Sequence, residues 1–230
     1  MARLSPVLPR RYGAAPLLRN LATGLCAAFV ATVPVRADPV TITALGDSLT
    51  QGYGLPAEQG FVPQLQDWLR ARGHDVTLIN AGVSGDTSAG GLSRIDWTLA
   101  TETDALMIEL GANDMLRGTD PGLTRANLIG IIEAAQAQQL PILLIGIAAP
   151  GNYGPDYQQQ FNAIFPSLAQ DYDTLHYTNF LTAIADHAEE PGALQRYVQP
   201  DGLHPTAEGV ALIVTDIGPS VEALIALTGN

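Results

Sequence analysis

The stretch Val40-Thr41-Ile42-Thr43-Ala44-Leu45-Gly46-Asp47-Ser48-Leu49-Thr50 is an apolar run that ends on a turn. Its first six residues are rich in β-branched side chains and bounded by turn signals, which is the pattern of a buried strand. Gly46 permits a tight turn directly after that strand. Ser48 therefore stands just past a strand end, where a hydroxyl is poised for nucleophilic chemistry. A serine in such a place more commonly caps a helix or shapes a turn. The functional reading needs a base, a group that orients the base, and donors for a developing oxyanion.

Outward from this stretch, the chain alternates strand and helix. Gly52, Gly54 and Pro56 mark a loop, and Phe61, Leu65, Trp68 and Leu69 make a helical stripe between Gln59 and Arg72. Residues 76–81 read as a second strand, followed by a Gly-rich loop over 82–91. A third strand over 105–110 enters Gly111-Ala112-Asn113-Asp114. A helix follows, with Leu128, Ile131, Ile132 and Ala135 on one face, and then a fourth strand over 141–147. Tyr157 to Tyr172 reads as one helix, Leu175 to Tyr177 as a short fifth strand, and Ala207 to Leu227 as a final helix kinked at Pro219. Five alternations imply an open parallel sheet covered by helices on both faces, an α/β/α sandwich. Its strands are near-continuous apolar runs, as burial on both faces demands. Ligands bind such sheets beyond the carboxyl ends of the strands. The loops there, over 46–54, 82–91, 111–118 and 148–156, are the ones rich in Gly, Asn, Asp and Ser.

The first 37 residues have a different character. They carry five arginines and no acid, with an apolar stretch from Leu21 to Val33 and small residues near Ala37. This reads as a cleaved export signal, with residues 38–230 as a single domain in the periplasm or outside the cell. Arg10-Arg11 is a poor twin-arginine signal because nine residues separate it from the apolar core. Cys26 lies within that core and reads as a plain apolar residue. The remaining 193 residues contain no cysteine and no lysine, and set six arginines against 23 acids, a net charge of −17. Such a surface repels nucleic acid and anionic membranes. No stable membrane anchor is expected after cleavage, and the expected assembly is a monomer.

Four histidines could serve Ser48. His74, after a helix cap, reads as a surface residue, His176 as packing in the fifth strand, and His187 as solvated beside Glu189 and Glu190. His204 lies in Asp201-Gly202-Leu203-His204-Pro205, before the last helix. One short turn brings the Asp201 carboxylate to its imidazole, where it can fix the tautomer. The bland alternative is a turn aspartate beside an incidental histidine. Candidate oxyanion donors are the backbone N–H groups of Ser48 and Gly85 and the Asn113 amide. All three stand at the carboxyl ends of consecutive strands. No metal-spaced His or Cys cluster occurs, so neither metal nor cofactor is expected.

Gly46-Asp47-Ser48-Leu49, Gly85 in Ser84-Gly85-Asp86-Thr87, Gly111-Ala112-Asn113-Asp114 and Asp201-Gly202-Leu203-His204-Pro205 resemble the four blocks of the SGNH (GDSL-type) hydrolase superfamily, in order. Glu109-Leu110-Gly111-Ala112-Asn113-Asp114, Leu116-Arg117-Gly118 and Pro150-Gly151-Asn152-Tyr153-Gly154 are further similar to its acyl-CoA thioesterase I, lysophospholipase and arylesterase branch. Ala112 departs from a frequent glycine and leaves the roles intact. The resemblance implies a flavodoxin-like five-stranded parallel sheet. It implies Ser48 as nucleophile, Asp201 and His204 as its partners, and Ser48, Gly85 and Asn113 as the oxyanion hole. It also implies Asp47, Met115, Leu116 and Tyr153 at the substrate, with the loop from Met115 to Pro121 lining an acyl pocket.

The expected activity is hydrolysis of esters and thioesters: aryl esters, acyl-CoA or lysophospholipids. A carbohydrate acetylesterase on the same fold is the first rival, and the apolar Met115 and Leu116 weigh against it. A non-catalytic binding module is the second, since fold alone does not settle function.

Overall fold

Strand β1 (Val40–Gly46) lies inside the sheet, flanked by a strand on each side, and its side chains are almost all buried. The coordinates are a computed structural model describing residues 39–100 and 102–229. The expected export signal over 1–37, with Arg10-Arg11 and Cys26, lies outside the described residues. β1 pairs in parallel with β2 (Val76–Gly82) on one side and β3 (Ala105–Glu109) on the other. β4 (Ile142–Ile145) and β5 (Leu175–Tyr177) complete the order β2-β1-β3-β4-β5. The chain leaves β1 for β2 on one side and then returns to place β3 on the other. The order therefore reverses at β1 and β3, and their carboxyl ends flank the crevice that such sheets use for ligands.

Helices cover the sheet. After the one-turn α1 (Ser48–Gln51) come α2 (Phe61–Ala71) and α3 (Ser88–Thr98). Next are α4 (Ala112–Leu116) and α5 (Pro121–Ala137). The second half contributes α6 (Pro155–Asn162), α7 (Ile164–Asp171), α8 (Thr182–Asp186), α9 (Ala193–Tyr197) and α10 (Ala207–Ala226). α2 packs on α10, where a Cβ on Gly218 would lie 2.5 Å from the Trp68 ring, so glycine admits the indole. α3 packs on α5. α10 is long and apolar enough to cross a membrane by composition alone. Its Val210, Ile213, Val214, Ile217, Val221 and Leu224 are instead buried in the core, and it runs on through Pro219.

Two stretches differ from the sequence reading. The loop expected over 82–91 ends at Thr87, which caps α3 by accepting the Gly90 N–H at 3.2 Å. Gly90 and Gly91 belong to that helix despite their low propensity. A Cβ on Gly91 would lie 2.3 Å from Leu110, and one on Gly90 1.7 Å from the Asp86 carboxylate, so tertiary packing overrides propensity. The single helix expected from Tyr157 to Tyr172 is two, α6 and α7, joined at Ala163. Pro166 has no N–H to donate to the preceding turn, which weakens the helix at the point where it divides.

Candidate active site

The site begins with the end of β1. Asp47 caps α1, its carboxylate accepting the Leu49 N–H at 3.0 Å, and the Gln51 N–H reaches the Asp47 carbonyl at 2.9 Å. Ser48 is the first residue of α1. Its N–H belongs to the first helical turn, where donors have no partner within the helix.

The base comes from the segment before α10. Val198 and Pro205 pair antiparallel, the Gln199 N–H donates to the His204 carbonyl at 2.7 Å, and Gly202 turns the chain at φ 72°. The Gln199 amide donates to the Tyr53 and Pro205 carbonyls, each at 2.8 Å, and so fastens this segment to the loop after α1. Within the turn, one Asp201 oxygen accepts the Leu203 and His204 N–H groups at 2.9 and 3.1 Å. The other lies 2.7 Å from His204 Nδ1, and His204 Nε2 lies 2.8 Å from Ser48 Oγ. The Tyr53 ring packs against the imidazole with centroids 4.6 Å apart. The Leu203 N–H bond, then the His204 imidazole and N–H, hold the Asp201 carboxyl down at about 2. Hydroxyl, imidazole and carboxylate thus form one continuous chain of hydrogen bonds.

Residues 44–212 match the model of the GDSL-like Lipase/Acylhydrolase family. The chain belongs to that family. It is a hydrolase of ester bonds. Over 209 residues it is 36% identical to the Esterase TesA of Pseudomonas aeruginosa, covering 90% of this chain and 100% of that one. It is 32% identical over 186 residues to the Thioesterase 1/protease 1/lysophospholipase L1 of Escherichia coli K12, covering 80% and 85%. The crystal structure of the psychrotrophic esterase EstA from Pseudoalteromonas sp., inhibited by monoethylphosphonate, superimposes with a TM-score of 0.73. That pair is 36% identical and covers 81% of this chain and 98% of EstA.

In this hydrolase a cavity of about 220 Å³ opens at Ser48 and His204. Gly85 and Asn113 line it, so all three expected oxyanion donors share one space. Gly85 has φ 79°, the left-handed region that favours glycine. Leu49, Met115, Leu116, Ile147 and Leu181 make the walls apolar. Of the four residues expected at the substrate, Met115 and Leu116 line this cavity. Asp47 and Tyr153 do not line the cavity. Asp47 is fully buried beneath it and accepts the Asn113 amide at 3.1 Å. The Tyr153 hydroxyl donates to the Leu116 carbonyl at 2.9 Å and so braces the wall from behind. Among the described residues no group of three His, Cys, Asp or Glu is arranged to hold a metal ion.

Two of the other three histidines have partners of their own. His74 lies 2.9 Å from Glu222, half-buried His187 lies 2.7 Å from Glu190, and burial lowers the pKa of His176 in β5.

Several supporting residues escaped sequence reasoning. Arg94 on α3 donates to the Ala81 and Gly46 carbonyls at 2.8 and 3.0 Å and pairs with Asp86 at 2.8 Å. It ties together the ends of β1 and β2. Asp114 is buried, accepts the Ser88 N–H and hydroxyl at 2.8 and 2.5 Å, and fixes α4 against α3. Glu109 is buried at the end of β3, where Thr50 donates to it at 2.9 Å. The available signal for Glu109 was a carboxyl between Ile108 and Leu110 in an apolar strand. Arg94 was missed because its helix was.

Proposed function

We propose that the protein is an exported serine esterase that cleaves acyl esters and thioesters through an acyl-enzyme on Ser48. The observation that carries this reading is the hydrogen-bonded series Ser48, His204, Asp201, with links of 2.8 and 2.7 Å, at the mouth of an apolar cavity. Ser48 Oγ attacks the acyl carbonyl as His204 Nε2 takes its proton. The carbonyl oxygen becomes an oxyanion, held by the N–H groups of Ser48 and Gly85 and the Asn113 amide. One Asn113 N–H is already given to Asp47, which leaves the second for the substrate. The tetrahedral intermediate collapses, and His204 returns the proton to the departing alcohol or thiol. Water then attacks the acyl-enzyme with His204 as base, and the acid leaves as Ser48 regains its proton. Asp201 stays ionised throughout and stabilises the imidazolium.

The apolar walls suit an alkyl acyl chain and provide few partners for sugar hydroxyls. Aryl esters, lysophospholipids and acyl-CoA share that acyl part. The related E. coli protein is named a thioesterase and lysophospholipase, and EstA is inhibited by a phosphonate, a group that mimics the tetrahedral intermediate. kcat/KM on p-nitrophenyl esters is expected to rise from acetyl to medium-chain acyl groups and to exceed the rate on acetylated sugars. A preference for acetylated sugars would overturn the acyl-chain reading. The export reading rests on residues 1–37, and a mature N-terminus near Asp38 in the exported fraction checks it. Full-length protein retained in the cytosol would contradict it.

A further inference from the structure

We propose that Glu109 is a positioning residue, whose neutral carboxyl donates to the Asp47 carboxylate and so holds the Asn113 amide and the Ser48 turn in register. This rests on the hydrolytic reading of the site. Glu109 is the last residue of β3 and stands opposite Gly46 in the sheet register. Its side chain crosses to α1, where Thr50 Oγ1 donates to Oε2 at 2.9 Å. Its carboxyl group meets that of Asp47 within hydrogen-bonding reach. Asp47 gives one oxygen to the Leu49 N–H at 3.0 Å and the other to Asn113 Nδ2 at 3.1 Å. A single buried pair thereby touches the turn that carries Ser48 and the first turn of α4, which carries Asn113. The fit is close: a Cβ on Gly46 would lie 2.0 Å from Thr50 Oγ1 and 2.9 Å from the Glu109 carbonyl.

Two buried carboxyls side by side cannot both ionise cheaply, so one keeps its proton. Burial, and then the charge of Asp47, push Glu109 well above the usual carboxylate range. Burial raises Asp47 to about 6, opposed by the Leu49 N–H and the bonds to Glu109 and Asn113. We therefore assign the pair's proton to Glu109, which Thr50 and Asp47 flank. The other titratable and charged groups around the pair are His204, whose protonated form would favour ionised Asp47, and Arg94, bonded to the neighbouring Gly46 carbonyl.

The test compares two variants with the wild type. In Glu109→Gln the amide still donates to Asp47 and its oxygen still accepts from Thr50, so kcat and KM stay within about threefold of wild type. Glu109→Met removes the donor while keeping the length, so kcat falls by about tenfold or more and KM changes by less than about threefold. A Gln variant that loses more than about tenfold in kcat overturns the proposal. So does a folded Met variant with wild-type kcat.

Two readouts are independent of hydrolysis. Infrared spectra at neutral pH should show a protonated-acid carbonyl band that Glu109→Gln removes, and its absence from the wild type overturns the proposal. The second is stability against pH. Between the ordinary values of 3.8 for Asp and 4.5 for Glu and the raised values in the fold, the native pair binds more protons than the unfolded chain. Its contribution is therefore most favourable in acid and is lost as pH rises. The urea midpoint of Glu109→Gln relative to wild type should rise with pH across this window. A constant or falling difference overturns the neutral-acid assignment. Should Ser48 prove not to be the nucleophile, these two measurements still decide the state of the carboxyl pair.

Discussion

Replacing Ser48 with alanine is expected to lower kcat for p-nitrophenyl ester hydrolysis by about a millionfold, the scale of losing a triad nucleophile. Alanine provides no atom to attack the carbonyl. The variant keeps the oxyanion donors and the cavity, so a residue of catalysis over water persists. The fold should survive, because the Ser48 hydroxyl contributes its hydrogen bond to His204 and the alanine methyl fits the first position of α1. Thermal unfolding within a few degrees of wild type checks that point. Turnover above about one per cent of wild type in a homogeneous preparation would contradict the role given to Ser48.

The second large effect is at Asp201. Asparagine there should lower kcat by about 10⁴-fold with KM little changed, as expected when the base is held in the wrong tautomer. The reason lies in the bond geometry. His204 Nδ1 lies 2.7 Å from an Asp201 oxygen, which accepts its proton and leaves Nε2 free to take the proton of Ser48. An asparagine amide can donate at that place instead, which puts the imidazole proton on Nε2. The turn itself should persist, because the other Asp201 oxygen accepts two backbone N–H groups and the asparagine oxygen can do the same. Asp201 is held at about 2, so it remains charged at any pH at which the fold is assayed. The acid limb of the wild-type pH profile should therefore show no step from Asp201. A variant with more than about a tenth of wild-type kcat would remove Asp201 from the catalytic series.

The sheet was readable because its strands are short apolar runs, and the segments carrying Ser48, Gly85 and Asn113 each follow one of them directly. Ser48, Gly85 and Asn113 were recognisable by their place after β1, β2 and β3, and Asp201 and His204 by a spacing that one turn can close. The cavity beside Ser48 was readable only in part. Met115 and Leu116 were expected from the resemblance, whereas Ile147 and Leu181 reach it through tertiary folding that carries no local signal. α3 was hidden because Gly90 and Gly91 argue against a helix locally, and only the packing of Leu110 and Asp86 against them shows why glycine is there. Glu109 was read as part of a strand, since periodicity says nothing about a carboxyl whose partner is 62 positions upstream. Asp47 was expected at the substrate from the resemblance. The fold instead buries it one layer below, where it can orient Asn113 and cannot touch an acyl group.

The central claim is that one serine hydroxyl, activated by His204, performs the chemistry. Treating the folded protein with a fluorophosphonate and mapping the adduct by peptide mass spectrometry tests this most directly. The account predicts a single stoichiometric adduct on Ser48, formed with loss of esterase activity and absent from Ser48→Ala. An unlabelled but active protein, or an inactivating adduct on any other residue, would contradict it.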